Sequence, residues 1–582
     1  MSGAYERLQI RATSTRALAL LRVSLVDKFF AVLSRVLGRA MSLPPALDRR
    51  VTVGRGVQVP MDDGVALVAD MYNPAGDGPH PTILVRSPYG RSGPLGLLLG
   101  RVFAERGYRV VMQSCRGTFG SGGCFEPNFH ERADGLATIR WIERQAWFDG
   151  RLAMNGPSYL GGVQWAVADT AGPVLRALCT HVTYSYIMRH WYRGGSFSLE
   201  VGLDWTTMIC EQETGRFRVA DTILERRQRR IDRLINHLPV AQLDEIVIGR
   251  PVAFWRQFVE HPSVDDPFWQ PVDHSRRVAA VTVPVLQVGG WYDIFLPELL
   301  ADHDALVAAG NQPRLVIGQW THISPDGFKV QLRESLRWLD LHVRGAPAAD
   351  RGADRLPVRI FVMGANRWRD VASWPPPGYR VERWHLQSRG RLDRSEPSNG
   401  DAESYTYDPA DPTPVVGGTL MRRSGGRRDQ ARTERRRDML LFTSDVLTRD
   451  VEVIGEVIAE IHVSSDLEHF DVFVRVCDVD GKGRSFNVCD GIERVSPQRW
   501  PRPPDGVWMV RVALWSTAQL FPAGHRIRVQ VGSGAHPRFV RNLGTGEPLA
   551  SGTAMRVAHQ TIHHDPDHPS AVFLPVRPIP GS

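Results

Sequence analysis

Cysteine and lysine are scarce in this chain, and no apolar run is long enough to cross a bilayer. Six cysteines in 582 residues, at positions 115, 124, 179, 210, 477 and 489, form no Cys-x-x-Cys pair and no metal-like spacing. That excludes a disulfide scaffold and a cysteine-built metal centre, and it predicts free thiols in a reducing, cytoplasmic compartment. The spacing leaves a Cys115–Cys124 disulfide open. Lysine occurs only at positions 28, 329 and 482, so the net charge of +8 is carried by arginine. Spread over this length the charge is mild. Its local concentration, Arg422-Arg423, Arg427-Arg428 and Arg432 to Arg437, has few interleaved aromatics and reads as a solvated loop, not a nucleic-acid site. In the first fifty residues Leu18, Leu21, Leu25, Phe29, Val32 and Val36 recur at helical spacing, but Arg22, Asp27, Lys28, Arg35 and Arg39 interrupt them. The stretch is too charged to span a membrane, and it lacks the small-residue cleavage site of a signal peptide. It reads as a helix packed on the main body or on a second subunit of a homo-oligomer, in preference to an amphipathic helix lying on a membrane surface.

What is present is chemistry at the ends of strands. Leu152-Ala-Met-Asn-Gly156-Pro157-Ser158-Tyr159-Leu160-Gly161-Gly162 reads as strand, sharp turn and helix, with one serine at the apex. A nucleophile elbow has this layout, although Leu160 stands where Gly-x-Ser-x-Gly has its second glycine. Val281 to Val288 is a β-branched apolar run, consistent with a buried parallel strand. It ends in Gly289-Gly-Trp-Tyr-Asp293. A second run, Arg314 to Gly318, ends in Gln319-Trp-Thr-His322. The order Ser158, Asp293, His322 is that of α/β-hydrolase triads. Singly, Asp293 also reads as the cap of a helix starting near Ile294, and His322 as one structural histidine among nineteen. As an ordered set on strand ends they favour nucleophilic catalysis. The oxyanion hole needs the N–H after the nucleophile, here Tyr159, and a donor after an early strand. Tyr89, after Pro81 to Arg86, offers its hydroxyl.

These residues resemble the CocE/NonD hydrolases, which include cocaine esterases, α-amino-acid ester hydrolases and X-Pro dipeptidyl-peptidases. The resemblance runs through Ser87-Pro-Tyr-Gly90, Arg116-Gly117, Asp134-Gly135, Gly156-Pro-Ser-Tyr-Leu-Gly161, Gly290-Trp-Tyr-Asp293, Trp320-Thr-His322, Leu441-Phe-Thr-Ser444, Asp490-Gly491, Gly524-His-Arg-Ile-Arg528 and Pro537-Arg538. It spans about residues 50–580 in one order. It implies nucleophile Ser158, base His322, orienting acid Asp293 and an oxyanion hole of Tyr89 and Tyr159, with no metal or organic cofactor. The family's elbow has Ser-Tyr-x-Gly, which accounts for Leu160. Ser114, where relatives usually have Asp, and Gln319, where they commonly have Pro, depart from the pattern.

The expected architecture is an α/β-hydrolase with a mostly parallel sheet and flanking helices, carrying a helical cap and a C-terminal all-β jelly roll of galactose-binding-like shape. The boundaries are an N-terminal helical extension over 1–50, core over 51–174, cap over 175–275, core over 276–350 and β-sandwich over 351–582. Within this, Val57 to Pro60 and Val65 to Met71 read as a hairpin, Asp221 to His237 as a charged cap helix, and Val358 to Met363 as the first sandwich strand. Trp191, Trp205 and Phe295 are candidates to line an acyl pocket, as aromatics do at matching positions in relatives. The expected reaction is hydrolysis of a small ester or amide through an acyl-enzyme. An X-Pro dipeptidyl-peptidase is the alternative, and would need a carboxylate for a free α-amine, with Glu200, Asp204, Asp265 and Asp266 as candidates. A non-catalytic sugar-binding protein is a remoter reading.

Overall fold

The computed structural model describes residues 30–76, 78–214, 225–345, 356–398 and 402–578. Ten strands form the first sheet: β1 (Thr52–Pro60), β2 (Ala66–Asn73), β3 (His80–Ser87), β4 (Arg109–Ser114), β5 (Phe148–Pro157), β6 (Leu175–His181), β7 (Val285–Tyr292), β8 (Arg314–Thr321), β9 (Val358–Val362) and β10 (Arg367–Val371). Their order is β1-β2-β4-β3-β5-β6-β7-β8-β9-β10. Pairing from β4 through β9 is parallel, with antiparallel strands at both edges. The hairpin read from Asp62-Asp63-Gly64 is β1–β2, with Pro60 opposite Ala66. The central strands are buried along their length, as a sheet covered on both faces requires. Helices α1 (Glu131–Glu143), α2 (Tyr159–Trp165), α3 (Leu199–Glu213), α4 (Leu296–Ala308) and α5 (Pro325–His342) flank the sheet or roof it.

Three expectations change. The cap was expected from residue 175, but β6 (Leu175–His181) pairs between β5 and β7 in the hydrolase sheet, so the core runs on to residue 181. Val358 to Met363 was assigned to the sandwich, but β9 continues the hydrolase sheet, with Leu315 opposite Val358 and Ile317 opposite Ile360. The first sheet therefore runs past residue 350. An alternating apolar strand fits either sheet, and only the partner it pairs with decides. The arginine run near 422–437 is not simply solvated. The Arg422 side chain is 14% exposed, with its Nε 2.8 Å from Glu200 and its Nη1 2.9 Å from Asp232. Arg436 is paired with Asp438 and Asp411, and Arg427 lies over Phe486.

The second sheet curls through eleven strands: β11 (Arg380–Gln387), β12 (Arg391–Asp393), β13 (Glu403–Tyr407), β14 (Met439–Ser444), β15 (Val451–Ser465), β16 (Phe470–Val479), β17 (Ser485–Val495), β18 (Trp508–Phe521), β19 (Arg526–Gly532), β20 (Ala558–His563) and β21 (Ala571–Val576). The path is β13-β20-β15-β21-β11-β12-β14-β19-β16-β17, and β18 pairs with β15. Its inward residues form an apolar core, which also takes in Trp291 and Ile360 from the first sheet and Leu299 from α4. The all-β unit is therefore packed directly against the strand that carries Asp293.

In the cap, the charged helix covers Arg226–Leu234; residues 221–224 of the expected element lie outside the described residues. So do Leu18, Leu21, Leu25 and Phe29. Residues 30–40 are helical, with Val32 61% and Val36 58% exposed. No helix among the described residues is long and apolar enough to cross a membrane. All six cysteines are free, including Cys115, which is buried, and Cys124, which is exposed.

Candidate active site

β5 ends at Pro157 and α2 begins at Tyr159, so Ser158 makes the whole turn. Its backbone, φ 58° and ψ −129°, is a conformation L-residues rarely adopt. The turn is held by Ser158 N–H donating to His181 O (2.9 Å) and by Thr183 Oγ1 donating to Ser158 O (2.6 Å). The glycines around it are steric requirements. A Cβ on Gly156 would lie 2.4 Å from Leu160 Cβ, and one on Gly161 would lie 2.5 Å from the Thr183 side chain. Leu160 thus sits over Gly156, and the glycine that the bend needs comes one position later.

β7 and β8 deliver the other two groups. Asp293 follows β7 and is fully buried. His322 follows β8. His322 Nδ1 is 2.7 Å from Asp293 Oδ1, and His322 Nε2 is 3.1 Å from Ser158 Oγ. Asp293 Oδ2 accepts the Phe295 N–H at 3.2 Å. Asp293 does not cap α4, whose N-cap is Phe295 with no side-chain cap bond; its Oδ2 closes the turn before the helix while Oδ1 faces His322. Phe295 meets the His322 ring edge-on at 5.3 Å between centroids.

The Tyr89 hydroxyl accepts the Trp205 Nε1–H at 3.0 Å, and Tyr89 lines the same cavity as Ser158. Burial pushes the Tyr89 phenol up to about 12, so it remains a neutral O–H donor. Tyr159 N–H is at the first position of α2, where a helix has no carbonyl partner for it. The Tyr159 side chain does something else. Its hydroxyl donates to Glu131 Oε1 (2.7 Å) and accepts from Asn128 N–H (2.8 Å). Glu131 is in turn paired at 2.6 Å with Arg86, a guanidinium with no exposure.

Ser158, Tyr89 and Tyr159 line a small cavity together with Trp191, Trp205, Phe295 and Met421. Trp205 stacks on Tyr159 with ring centroids 6.3 Å apart, and Phe295 packs on Tyr184 at 4.8 Å. All eight residues singled out from the sequence therefore meet in one place. Asn128, Glu131, Arg86 and Met421 escaped that reading. Met421 comes from the all-β unit, and Arg422 beside it anchors that segment to Glu200 of α3. None of the four carboxylates considered for an α-amine lines the cavity. Glu200 is paired with Arg422 and Asp204 with Arg227. Asp266 caps Phe268 N–H and holds His261, and Asp265 is exposed. Ser114 accepts an N–H of Arg91, and Asp70 supplies that arginine's carboxylate, so the missing Asp leaves no unpaired cation there.

Family models match the chain in two parts. Residues 63–324 match the X-Pro dipeptidyl-peptidase (S15 family) model, and residues 352–573 match the X-Pro dipeptidyl-peptidase C-terminal non-catalytic domain. A cocaine esterase of Rhodococcus sp. (strain MB1 Bresler) is 33% identical, covering 91% of this chain and 99% of the esterase. Among solved structures, an aminopeptidase from a marine sediment Thaumarchaeota archaeon superposes with a TM-score of 0.77 at 23% identity, covering 92% of this chain and 97% of that one. An α-amino acid ester hydrolase gives 0.76 at 22%, covering 92% and 98%. These two share the fold. With an α/β-hydrolase sheet, an all-β unit behind it and the esterase likeness along nine-tenths of its length, the chain belongs to the CocE/NonD family of serine hydrolases.

Proposed function

We propose that the chain hydrolyses esters of small acids with an apolar, aromatic-sized acyl group, through an acyl-enzyme on Ser158. The observation that carries this is the Ser158–His322–Asp293 chain of hydrogen bonds opening into an aromatic cavity, with the Tyr89 hydroxyl at its mouth. The acyl carbonyl seats against Tyr89 Oη–H and Tyr159 N–H, and its apolar part lies among Trp191, Trp205 and Phe295. His322 Nε2 takes the Ser158 proton as Oγ bonds to the carbonyl carbon, and the negative charge on the oxygen falls between the two donors. Asp293 holds the imidazole tautomer with its proton on Nδ1 and stabilises the imidazolium. The C–O bond to the leaving group then breaks, and the alcohol departs with the proton from His322. Water, deprotonated by His322, attacks the acyl-enzyme, and the acid leaves as Ser158 regains its proton.

Dipeptide release from a free N-terminus is disfavoured, because a bound ammonium needs a charge partner in this dry space, and the cavity lining contains no carboxylate. Labelling with a fluorophosphonate probe tests the nucleophile: the wild type takes up one equivalent and Ser158→Ala none. A wild type without adduct refutes the mechanism. p-Nitrophenyl benzoate, p-nitrophenyl acetate and Ala-Pro-p-nitroanilide then separate the substrates. The benzoyl ester should turn over best; preference for the anilide refutes the ester assignment.

A further inference from the structure

A second cluster of chemically active side chains lies in the all-β unit, and none of its members lines the Ser158 cavity. β15 and β20 are antiparallel, with His462 opposite His563. Directly opposed residues leave the same face of a sheet at the same level. After β20 the chain turns through Asp565-Pro566-Asp567-His568. The Asp565 carboxylate accepts the backbone N–H groups of Asp567 (2.9 Å) and His568 (3.0 Å). That turn lays the His568 ring against both strand histidines, 5.7 Å from His462 and 5.6 Å from His563 between centroids. One ligand atom from each of His563, Asp565 and His568 lies within 4.8 Å of those of the other two. Asp505, from the segment between β17 and β18, sits 3.3 Å from His568 Nε2. His462 Nδ1 is buried with no hydrogen-bond partner, which is uncommon for a ring nitrogen and leaves a lone pair or proton to satisfy.

We propose that this cluster is a structural binding site for a divalent transition metal of the Zn²⁺ class, ligated by His563, Asp565 and His568, with His462 and Asp505 flanking it as further donors. Imidazole with carboxylate suits Zn²⁺, Co²⁺ and Ni²⁺, whereas Mg²⁺ and Ca²⁺ take oxygen ligands throughout. Ligands about 2.0–2.2 Å from a tetrahedral ion stand roughly 3.4 Å apart, so the side chains need to close by about an ångström. Asp565 and His568 sit on a half-exposed turn beside the strand residue His563, whose Nε2 is 2.9 Å from Ser464 Oγ. The nearby Arg383 donates to the Pro569 carbonyl (3.2 Å) and lies over the Phe573 ring. A bound ion would tie the 563–568 turn to the neighbouring strands and to the Asp505 segment. It would stabilise the sandwich without touching the ester chemistry.

The test uses the full chain without a histidine tag, stripped with EDTA. Equilibrium dialysis against Co²⁺ should give one ion per chain with a tetrahedral-type visible spectrum, and Zn²⁺ should displace it and raise the melting temperature. His563→Gln and His568→Gln should each weaken Co²⁺ binding by at least about tenfold and remove the zinc-dependent melting shift, with turnover of p-nitrophenyl benzoate unchanged. On the wild type, Zn²⁺ should slow amide exchange in the 564–568 turn, a readout that needs no variant. Absence of stoichiometric binding at about 100 µM Co²⁺ overturns the proposal, as does binding that survives the double variant or exchange in the turn that is indifferent to zinc.

Discussion

Replacing Tyr89 by Phe removes one oxygen atom from the mouth of the cavity and leaves the ring in place. The geometry makes the consequence specific. Trp205 Nε1–H donates to the Tyr89 oxygen at 3.0 Å, so one lone pair is occupied; in the proposed mechanism the phenolic proton serves the developing oxyanion. Loss of one such donor costs about 2.7–4 kcal/mol at the transition state, or about 10²–10³ in kcat. The donor acts on charge that develops only as Oγ attacks, so KM should move less than about threefold. Trp205 Nε1–H is also left buried without an acceptor, which should destabilise the fold by roughly 1–3 kcal/mol. Trp205→Phe alone frees the hydroxyl to rotate and should lower kcat less, by about tenfold, while in the Tyr89→Phe background it should add almost nothing, since the two groups act through one bond. Burst kinetics with p-nitrophenyl benzoate measure acylation, and urea unfolding separates stability from catalysis. A folded Tyr89→Phe variant that keeps kcat within about threefold of wild type, with Ser158 still labelled by fluorophosphonate, would refute the oxyanion role.

Arg422→Met should destabilise the protein by about 3–5 kcal/mol, because Glu200 is left buried with its charge unpaired; Glu200→Gln in the same chain should recover most of the loss in urea melts. An Arg422→Met variant as stable as wild type refutes that account. Burial raises the Asp302 carboxyl to about 8. It is then protonated in the fold and ionised in the unfolded chain between about pH 4 and 8, so the unfolded state binds fewer protons and stability falls as pH rises through that window. Asp302→Asn, neutral throughout, should match wild type near the acid end and melt higher than wild type above pH 8; parallel curves at both ends would contradict the burial argument. Of the six cysteines only Cys124 is exposed, so native protein should release one equivalent of thionitrobenzoate from DTNB at once and the denatured chain all six.

The triad was readable because each member sits where a strand pattern stops. An apolar run followed by an isolated Ser, Asp or His marks a residue on the carboxyl edge of a parallel sheet, and chain order supplied the rest. Tyr89 was readable for the same reason. Its partner in Trp205 Nε1 was not, because the cap helix α3 that brings them together carries no periodicity pointing at residue 89. Arg86 and Glu131 were invisible as a pair. One lies in an apolar strand and the other opens a helix, and only the crossing of β3 with α1 puts a buried guanidinium under the Tyr159 hydroxyl. Met421 sat beside an arginine run that looked solvated, and its place in the cavity depends on Arg422 finding Glu200.

Local sequence thus determined the kind of chemistry: the Ser158 bend, with Gly156 and Gly161 cleared for Leu160 and Thr183, and the acid and base at the ends of β7 and β8. Those features depend on neighbours a few residues away, where sterics and strand periodicity act directly. Tertiary structure alone decided which sheet β9 joined, that Met421 of the all-β unit lines the cavity beside Ser158, that no carboxylate among the described residues lines it, and that His462 and His563 stand side by side. Pairing register and buried ion pairs are long-range choices, made by which surfaces exclude water together, and no short stretch of chain contains them.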